Sequence, residues 1–248
     1  MNFLKPLPFI ILASLLFSCK KKEEAPKSVP VEFTSTTYAG LGSYDTSGKP
    51  SYLVLPRDVV TANMMTYIST TLPDRTDLRT THPELLTTQA IADIKITDSS
   101  DVFITYVSQG GGFTNTFAFY TYPTGKSPAS TKDIPKITYI FPNSGNKTTL
   151  VRGDKVKIGR FGLGTSIGFV LLQKGWEDVS NTIDNKVVHF CSNDVLNPEV
   201  DPALKKHAVL INYAPENKVL IGFEDVDRTL PACDHDFNDV VFYATVKP

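Results

Sequence analysis

The stretch GFEDVDRTLPACDHDFNDVVFYATV near the C-terminus concentrates oxygen donors. Between positions 224 and 239 it carries six carboxylates, Glu224, Asp225, Asp227, Asp234, Asp236 and Asp239, together with Asn238 and a single Arg, Arg228. Like charges at this density repel unless solvent or a cation separates them. Asp234, Asp236 and Asn238 stand at i, i+2 and i+4, with Asp239 beside them. Hard oxygen donors spaced this way suit calcium, which takes about 6–8 oxygens from carboxylates, amides, backbone and water. The start resembles an EF-hand loop, but Asp239 occupies the position that requires Gly and Thr245 the position of the bidentate Glu, so that motif is rejected. A different loop-type calcium site remains, with Glu224, Asp225 and Asp227 approaching from the end of the preceding strand. Two other chemistries use the same residues. Asp and Asn cap turns by accepting from nearby backbone amides, and a catalytic carboxylate pair needs a set separation and a contrast in pKa.

Cysteines supply a second constellation. Of three, Cys19 is assigned to lipidation (below), which leaves Cys191 and Cys233. An even number of cysteines in an oxidising envelope predicts a disulfide between them. His189-Phe190-Cys191 and Cys233-Asp234-His235 also offer two Cys and two His for tetrahedral zinc, at spacings that no familiar zinc motif uses.

Two other motifs have structural explanations. Gly164-Thr165-Ser166-Ile167-Gly168 spells the G-x-S-x-G of a nucleophile elbow, which needs a strand before the Ser and a helix after it. Here Ser166 opens a β run instead. Gly110-Gly111-Gly112 lacks the Gly-Lys-Ser/Thr ending of a phosphate loop and the helix that would follow, and is expected to be a strand connection or bulge.

The elements that must position these residues are strands. From about residue 91 short β-branched and aromatic runs follow one another: IADIKIT, DVFITYVS, TFAFYTY, PKITYIF, DKVKIGRF, TSIGFVLL, KVVHF, KHAVLINY, KVLIGFED and DVVFYATV. Gly, Pro, Asn and Asp separate them, the pattern of an all-β antiparallel sandwich of jelly-roll type. The connection APENK between Tyr213 and Val219 predicts a hairpin. No helix of crossover length alternates with the runs, which argues against a parallel α/β sheet. Upstream, Val60, Met64, Met65, Ile68 and Leu72 follow helical spacing, with Asp58 as the expected cap and Pro73 as the stop.

The N-terminus bounds the compartment. MNFLKPLPFIILASLLFSC pairs Lys5 with an apolar run from Phe9 to Phe17, too short to span a bilayer, which takes about 20 residues, and suited to an export signal. Its Leu-Phe-Ser-Cys ending resembles a bacterial lipobox and marks Cys19 as the lipid-modified residue of the mature chain. The expected layout is a signal peptide over 1–18 and a flexible tether over 19–37. A segment over 38–92 then packs on a sandwich domain over 93–248. The tether begins with Cys, Lys-Lys-Lys and Glu-Glu. That order resembles the tract by which Bacteroidetes lipoproteins reach the outer face of the outer membrane; the periplasmic face is the other placement. Net charge is −1, with no basic stretch beyond the tether, which argues against a nucleic-acid partner.

IGFEDVDR (221–228) followed by DHDFNDVVFYAT (234–245) resembles the signature of the LruC-type domain, which overlaps the family called domain of unknown function 4114. Supporting matches are YVSQGGGFTNTFAFYTYPTG (106–125), ITYIFPN (137–143), GDKVKIGRFGLGTSIGFVLLQKGW (153–176) and the triplet Asn197-Pro198-Glu199. The resemblance implies a β-sandwich at the C-terminal end of an exported or surface bacterial protein, with no enzymatic activity attached to the family. Cys191 and Cys233 stand out from the family pattern, which favours a staple. Gly110–Gly112 replaces a more acidic or Ala-containing turn, which argues against a ligand role for that loop. The resulting expectation is a non-enzymatic envelope lipoprotein. It would be held to the membrane by its lipid, with calcium on the acidic loops and a glycan or surface protein as partner. The alternatives are a surface polysaccharide hydrolase and a purely structural lipoprotein without ligand.

Overall fold

The computed structural model describes residues 26–248; the expected signal peptide and Cys19 lie outside the described residues. Thirteen strands form: β1 (Thr37–Gly40), β2 (Ile94–Lys95), β3 (Ser100–Gln109), β4 (Thr116–Pro123), β5 (Lys136–Phe141), β6 (Lys155–Phe161), β7 (Thr165–Leu172), β8 (Trp176–Glu177), β9 (Thr182–Ile183), β10 (His189–Cys191), β11 (Ala208–Tyr213), β12 (Lys218–Phe223) and β13 (Val240–Lys247). Two short helices, α1 (Ala62–Thr71) and α2 (Leu78–Thr81), lie between β1 and β2. A six-stranded sheet runs β1-β5-β4-β7-β10 with β2 also on β7, and a five-stranded sheet runs β11-β12-β13-β3-β6. The pairing is antiparallel except between β1 and β5. The chain is thus a β-sandwich with a small helical addition.

Side-chain alternation explains the layering, because successive residues of a strand face opposite sides. Phe117, Phe119, Phe141, Phe169 and Leu171 of one sheet meet Ile104, Ile221, Phe223, Phe242 and Ala244 of the other. Phe117 stacks on Phe242 with centroids 3.8 Å apart, and Phe141 lies 5.7 Å from the same ring. The outer faces are covered as well. Met64 and Ile68 of α1 and Leu72 just after it, with Leu78, pack on Val107, Val209, Ile211, Leu220 and Tyr243. On the other side Tyr120, Tyr122, Tyr139, Val170 and Cys191 form a third cluster, with Phe33 and Tyr38 against it. Burial on both faces is why β7 reads as the unbroken apolar run IGFVLL and not as an alternation.

Several local expectations are corrected. Thr61, not Asp58, caps α1: its hydroxyl accepts from Met64 N at 3.2 Å. Asp58 instead accepts from Lys155 Nζ, Thr105 Oγ1 and Tyr243 OH, tying the helix entry to the sheet. β1 joins the six-stranded sheet as an edge strand, so the segment before residue 92 contributes to the sandwich and does not only lie against it. Ser166 lies inside β7 with its hydroxyl 3.0 Å from Thr124 Oγ1. It is fully buried with no helix after it, so it has no place in a nucleophile elbow.

Removing the central ring tests this core. Phe242→Ala opens a cavity beneath Phe117 and Phe141, and is expected to cost about 3–5 kcal/mol in urea unfolding. A loss below about 1 kcal/mol would mean that the two sheets do not meet at this ring.

Candidate metal centre

Sheet register places the acids. In the antiparallel β12–β13 pair, Phe223 is opposite Val240 and Gly222 opposite Val241, so Glu224 falls opposite Asp239, one step beyond the ladder. Like charges facing each other across a strand pair are destabilising, and here Glu224 is buried and Asp239 half-buried. Glu224 and Asp225 are each 1% exposed.

The connection from Phe223 to Val240 then folds back on itself. His235 and Phe237 adopt φ of 60° and 58°, a left-handed conformation uncommon outside Gly and Asn. Phe237 is driven into the core beneath α1, and Leu78 N donates to His235 O at 3.0 Å. Asp236 is thereby turned inward. Its Oδ2 accepts from Arg75 N at 2.8 Å and its Oδ1 from Asn238 N at 3.0 Å. Glu224, Asp234 and Asp236 each offer one oxygen within 4.8 Å of the others. They line a cavity of about 260 Å³ with Asp225, Asn238, Asp239, Asp74 and the glycines 110–112.

A second wall comes from β3. Gly110 N and Gly111 N both donate to Asp239 O, at 2.9 and 3.1 Å. A Cβ on Gly111 would stand 2.5 Å from Asp225 Oδ2 and 2.9 Å from Asp239 Oδ1; one on Gly110 would stand 2.9 Å from Asn238 Oδ1. The glycines are therefore what lets the backbone approach the carboxylates. The loop set aside in the sequence thus lines the same cavity as the acids. Asn115, at the head of β4, donates Nδ2 to Asp225 Oδ2 at 2.6 Å, while Asp225 N donates to Asp239 Oδ2 at 2.8 Å.

Two arginines stand near the acids without pairing with them. Arg75 lines the cavity from its exposed rim. Arg228 is buried, but Nε donates to His235 Nδ1 and Nη1 to the carbonyls of Ala203 and Lys206. None of these bonds reaches a carboxylate. Glu224 Oε2 is buried with no hydrogen-bond partner. Burial, and then the Asp239 carboxylate beside them, push both Glu224 and Asp225 far above the usual carboxylate range. Burial raises Asp239 too, and holds Asp236 at about 6.

Other expected ligands go elsewhere. Asp227 is not part of the cluster: its carboxylate accepts from Ser28 Oγ and from Thr229 N and Oγ1, so it caps a turn and pins the N-terminal segment. Cys191 and Cys233 are free thiols, which corrects the expected disulfide. Cys191 sits in the outer cluster of the six-stranded sheet, whereas Cys233 lies 3.1 Å from His235 Nδ1 beside the acids. Desolvation raises both thiols, which keeps them protonated and unreactive. The zinc set fails for the same reason of place. His189 Nδ1 lies 2.8 Å from Val187 O and Nε2 2.8 Å from Tyr38 OH, so both nitrogens are occupied.

Two outcomes follow. A carboxyl with a raised native pKa holds a proton that the unfolded chain has released, so stability is present at low pH and is lost as pH rises through the native value. Between about pH 7 and pH 9, where ordinary histidines (about 6.5) and carboxyls are silent, the melting temperature in chelator is expected to fall. Asp225 and the two buried thiols, raised as well, add to the fall, so Glu224→Gln is expected to make that slope shallower; an unchanged slope would remove Glu224 as a source of it. Separately, Gly111→Ala forces a methyl into Asp225 and is expected to destabilise the fold by about 1–3 kcal/mol, as overpacking does. The comparable Gly112→Ala meets nothing within 4 Å and should change the same urea midpoint little.

No curated protein and no solved structure matches the chain. One family model does, over β7 to β13 and so over the whole acidic tract but not over the glycine wall: residues 161–247 match the family described as Domain of unknown function (DUF4114).

Proposed function

We propose that the protein is a non-enzymatic binding module of the bacterial envelope whose acidic centre holds calcium, and that the ion makes its loops rigid enough to present a recognition surface. The observation that carries this is the unpartnered, buried Glu224 Oε2 among carboxylates to which neither Arg228 nor Arg75, the arginines nearest them, gives a side-chain hydrogen bond. A divalent cation supplies the missing charge and the missing partner together. Oxygen donors from carboxylate, amide and backbone favour calcium over a softer metal.

Catalysis fits the same residues less well. The Asp239 carboxylate accepts from Asp225 N at 2.8 Å, and its Oδ1 crowds the same side of Gly111 as Asp225 Oδ2. Glycosidase pairs stand about 5 Å or more apart, to admit a sugar carbon or a water. The further parts of this reading, an LruC-type domain carried by a lipid on Cys19 and a glycan or surface-protein partner at the outer membrane, rest on the sequence resemblance. No helix among the described residues is long and apolar enough to cross a membrane.

Thermal unfolding of the full chain in EDTA, then in calcium or magnesium, tests the cation. Calcium at about 100 times its Kd adds about 2.7 kcal/mol, which for a domain of this size is a rise of about 5–10 °C. Magnesium should give much less, and Asp236→Asn should abolish the calcium rise. A calcium-independent melting temperature would sink the proposal.

A further inference from the structure

We infer that the cavity between the N-terminal segment and β10 binds the acetamido group of an N-acetylated sugar. This rests on the reading of the protein as a binding module and names its partner class, at a site apart from the acidic centre. Residues 28–36 cross from Pro198, beside β10, to Ile134, ahead of β5, and are pinned at both ends. Val29 N donates to Pro198 O at 2.8 Å and Ser28 Oγ to Asp227, while Thr36 Oγ1 donates to Ile134 O at 2.7 Å. Between the pins lies a cavity of about 530 Å³, lined by Val31 and Phe33 of the segment and by Val187, His189 and Phe190 at the sheet rim. Small-molecule sites are mostly apolar hollows of about 300–1,000 Å³ with a few fixed polar groups.

Sheet register supplies the polar groups. In an antiparallel pair alternate residues bond the partner strand, and those between turn their N–H and C=O away from it. Gln173 N donates to Val188 O and Ser192 N to Phe169 O, both at 2.9 Å. The backbones of Val188, Phe190 and Ser192 therefore face β7, and those of His189 and Cys191 face outward. Asn197 fills the outward pair of Cys191, and Pro198, the next residue, lines the cavity. The outward N–H and C=O of His189 have no partner among the described residues, although this residue is 3% exposed. Buried backbone groups left unpaired are rare and costly. Its imidazole is already engaged at both nitrogens, by Val187 O and Tyr38 OH.

A secondary amide answers this pair, its C=O accepting from His189 N and its N–H donating to His189 O. The opening is one amide wide. Asn197 holds Cys191 on one side, and on the other Val187 O is taken by His189 Nδ1. An added peptide strand needs successive pairs along an edge, whereas an acetamido group needs one. Its methyl suits the apolar lining. Gln173 and Asn185, whose Nε2 and Oδ1 are bonded elsewhere, each keep one polar atom for ring hydroxyls. Charge favours a neutral ligand, because Lys186 and Glu32 offset each other and Asp227 already accepts from Ser28 and Thr229.

Calorimetric titration of the full chain with the β-1,4-linked dimer of N-acetylglucosamine, in calcium and again in EDTA, tests the site. Cellobiose, the same dimer without acetamido groups, is the control. Binding of the acetylated dimer and none of cellobiose is expected, with saturation transfer from the protein to the acetyl methyl. His189→Pro removes the outward N–H without taking a ladder bond and should weaken binding about tenfold. Val31→Trp fills the cavity and should abolish binding while leaving the melting temperature unchanged. A dimer that binds in neither buffer overturns this site and leaves the cation proposal standing. Binding in both buffers by a chain that takes up no calcium leaves this site standing without the cation. Full binding by Val31→Trp places the sugar elsewhere and overturns the inference, even where His189→Pro fails to fold. Tighter binding of N-acetylvaline methylamide than of the sugar overturns the sugar in favour of a peptide.

Discussion

Two adjacent carboxylates, Glu224 and Asp225, are buried just past the end of a strand whose partner strand is preceded by a third, Asp239. That repulsion is the constraint around which this end of the sandwich is arranged. Charges removed from water need opposite charge or a dense set of donors. The protein supplies donors from four directions: Asn115 ahead of β4, the backbone of Asp225 itself, Arg75 after α1, and Asn238 within the tract. Gly110 and Gly111 bring the end of β3 against the same segment. Loops distant in sequence are therefore held by one electrostatic problem, and its solution fixes their positions relative to each other.

Behind the acids lies a second polar layer that keeps them in place. His207 Nδ1 faces Glu224 O at 2.9 Å, and a carbonyl can only accept, so this nitrogen carries hydrogen. Nε2 meets Glu199 Oε1 at 2.7 Å in a fully buried pair, so a proton is shared between imidazole and carboxyl. Phe190 stacks on the same imidazole at 3.8 Å. Gln173, from the turn after β7, donates to Asp225 O at 2.5 Å. The main chain at Glu224 and Asp225 is thus clamped from below while the carboxylates face the cavity.

How far the sequence could be read depended on the range of the interactions involved. Alternation and turn residues are local, so the strands, the 62–71 helix and the hairpin before Val219 were legible. The carboxylates were legible as a group because five of them share one wall of one cavity. Asp227 was not separable from them. Its role is set by Ser28, almost two hundred positions away, and by a turn at Thr229. The place of the glycine wall was not legible for a similar reason: nothing near Gly111 in sequence says that Asp225 will stand against it. Cys191 and Cys233 looked like a pair by count and compartment. The layer that each joins, outer cluster or acidic end, is decided by sheet order, which no spacing encodes.

Asn197, in the Asn-Pro-Glu triplet, has an effect on assembly. Its amide accepts from Cys191 N at 2.6 Å and donates to Cys191 O at 2.8 Å, as a neighbouring strand would. β10 is the last strand of its sheet on that side, so one side chain terminates the ladder there. On the other sheet the rim strand β6 carries Lys155, Lys157 and Arg160, charges that discourage strand addition. A β-protein crowded with copies of itself risks growing sheet onto sheet, and these two rims are closed to that growth by means that cost the fold no further strand.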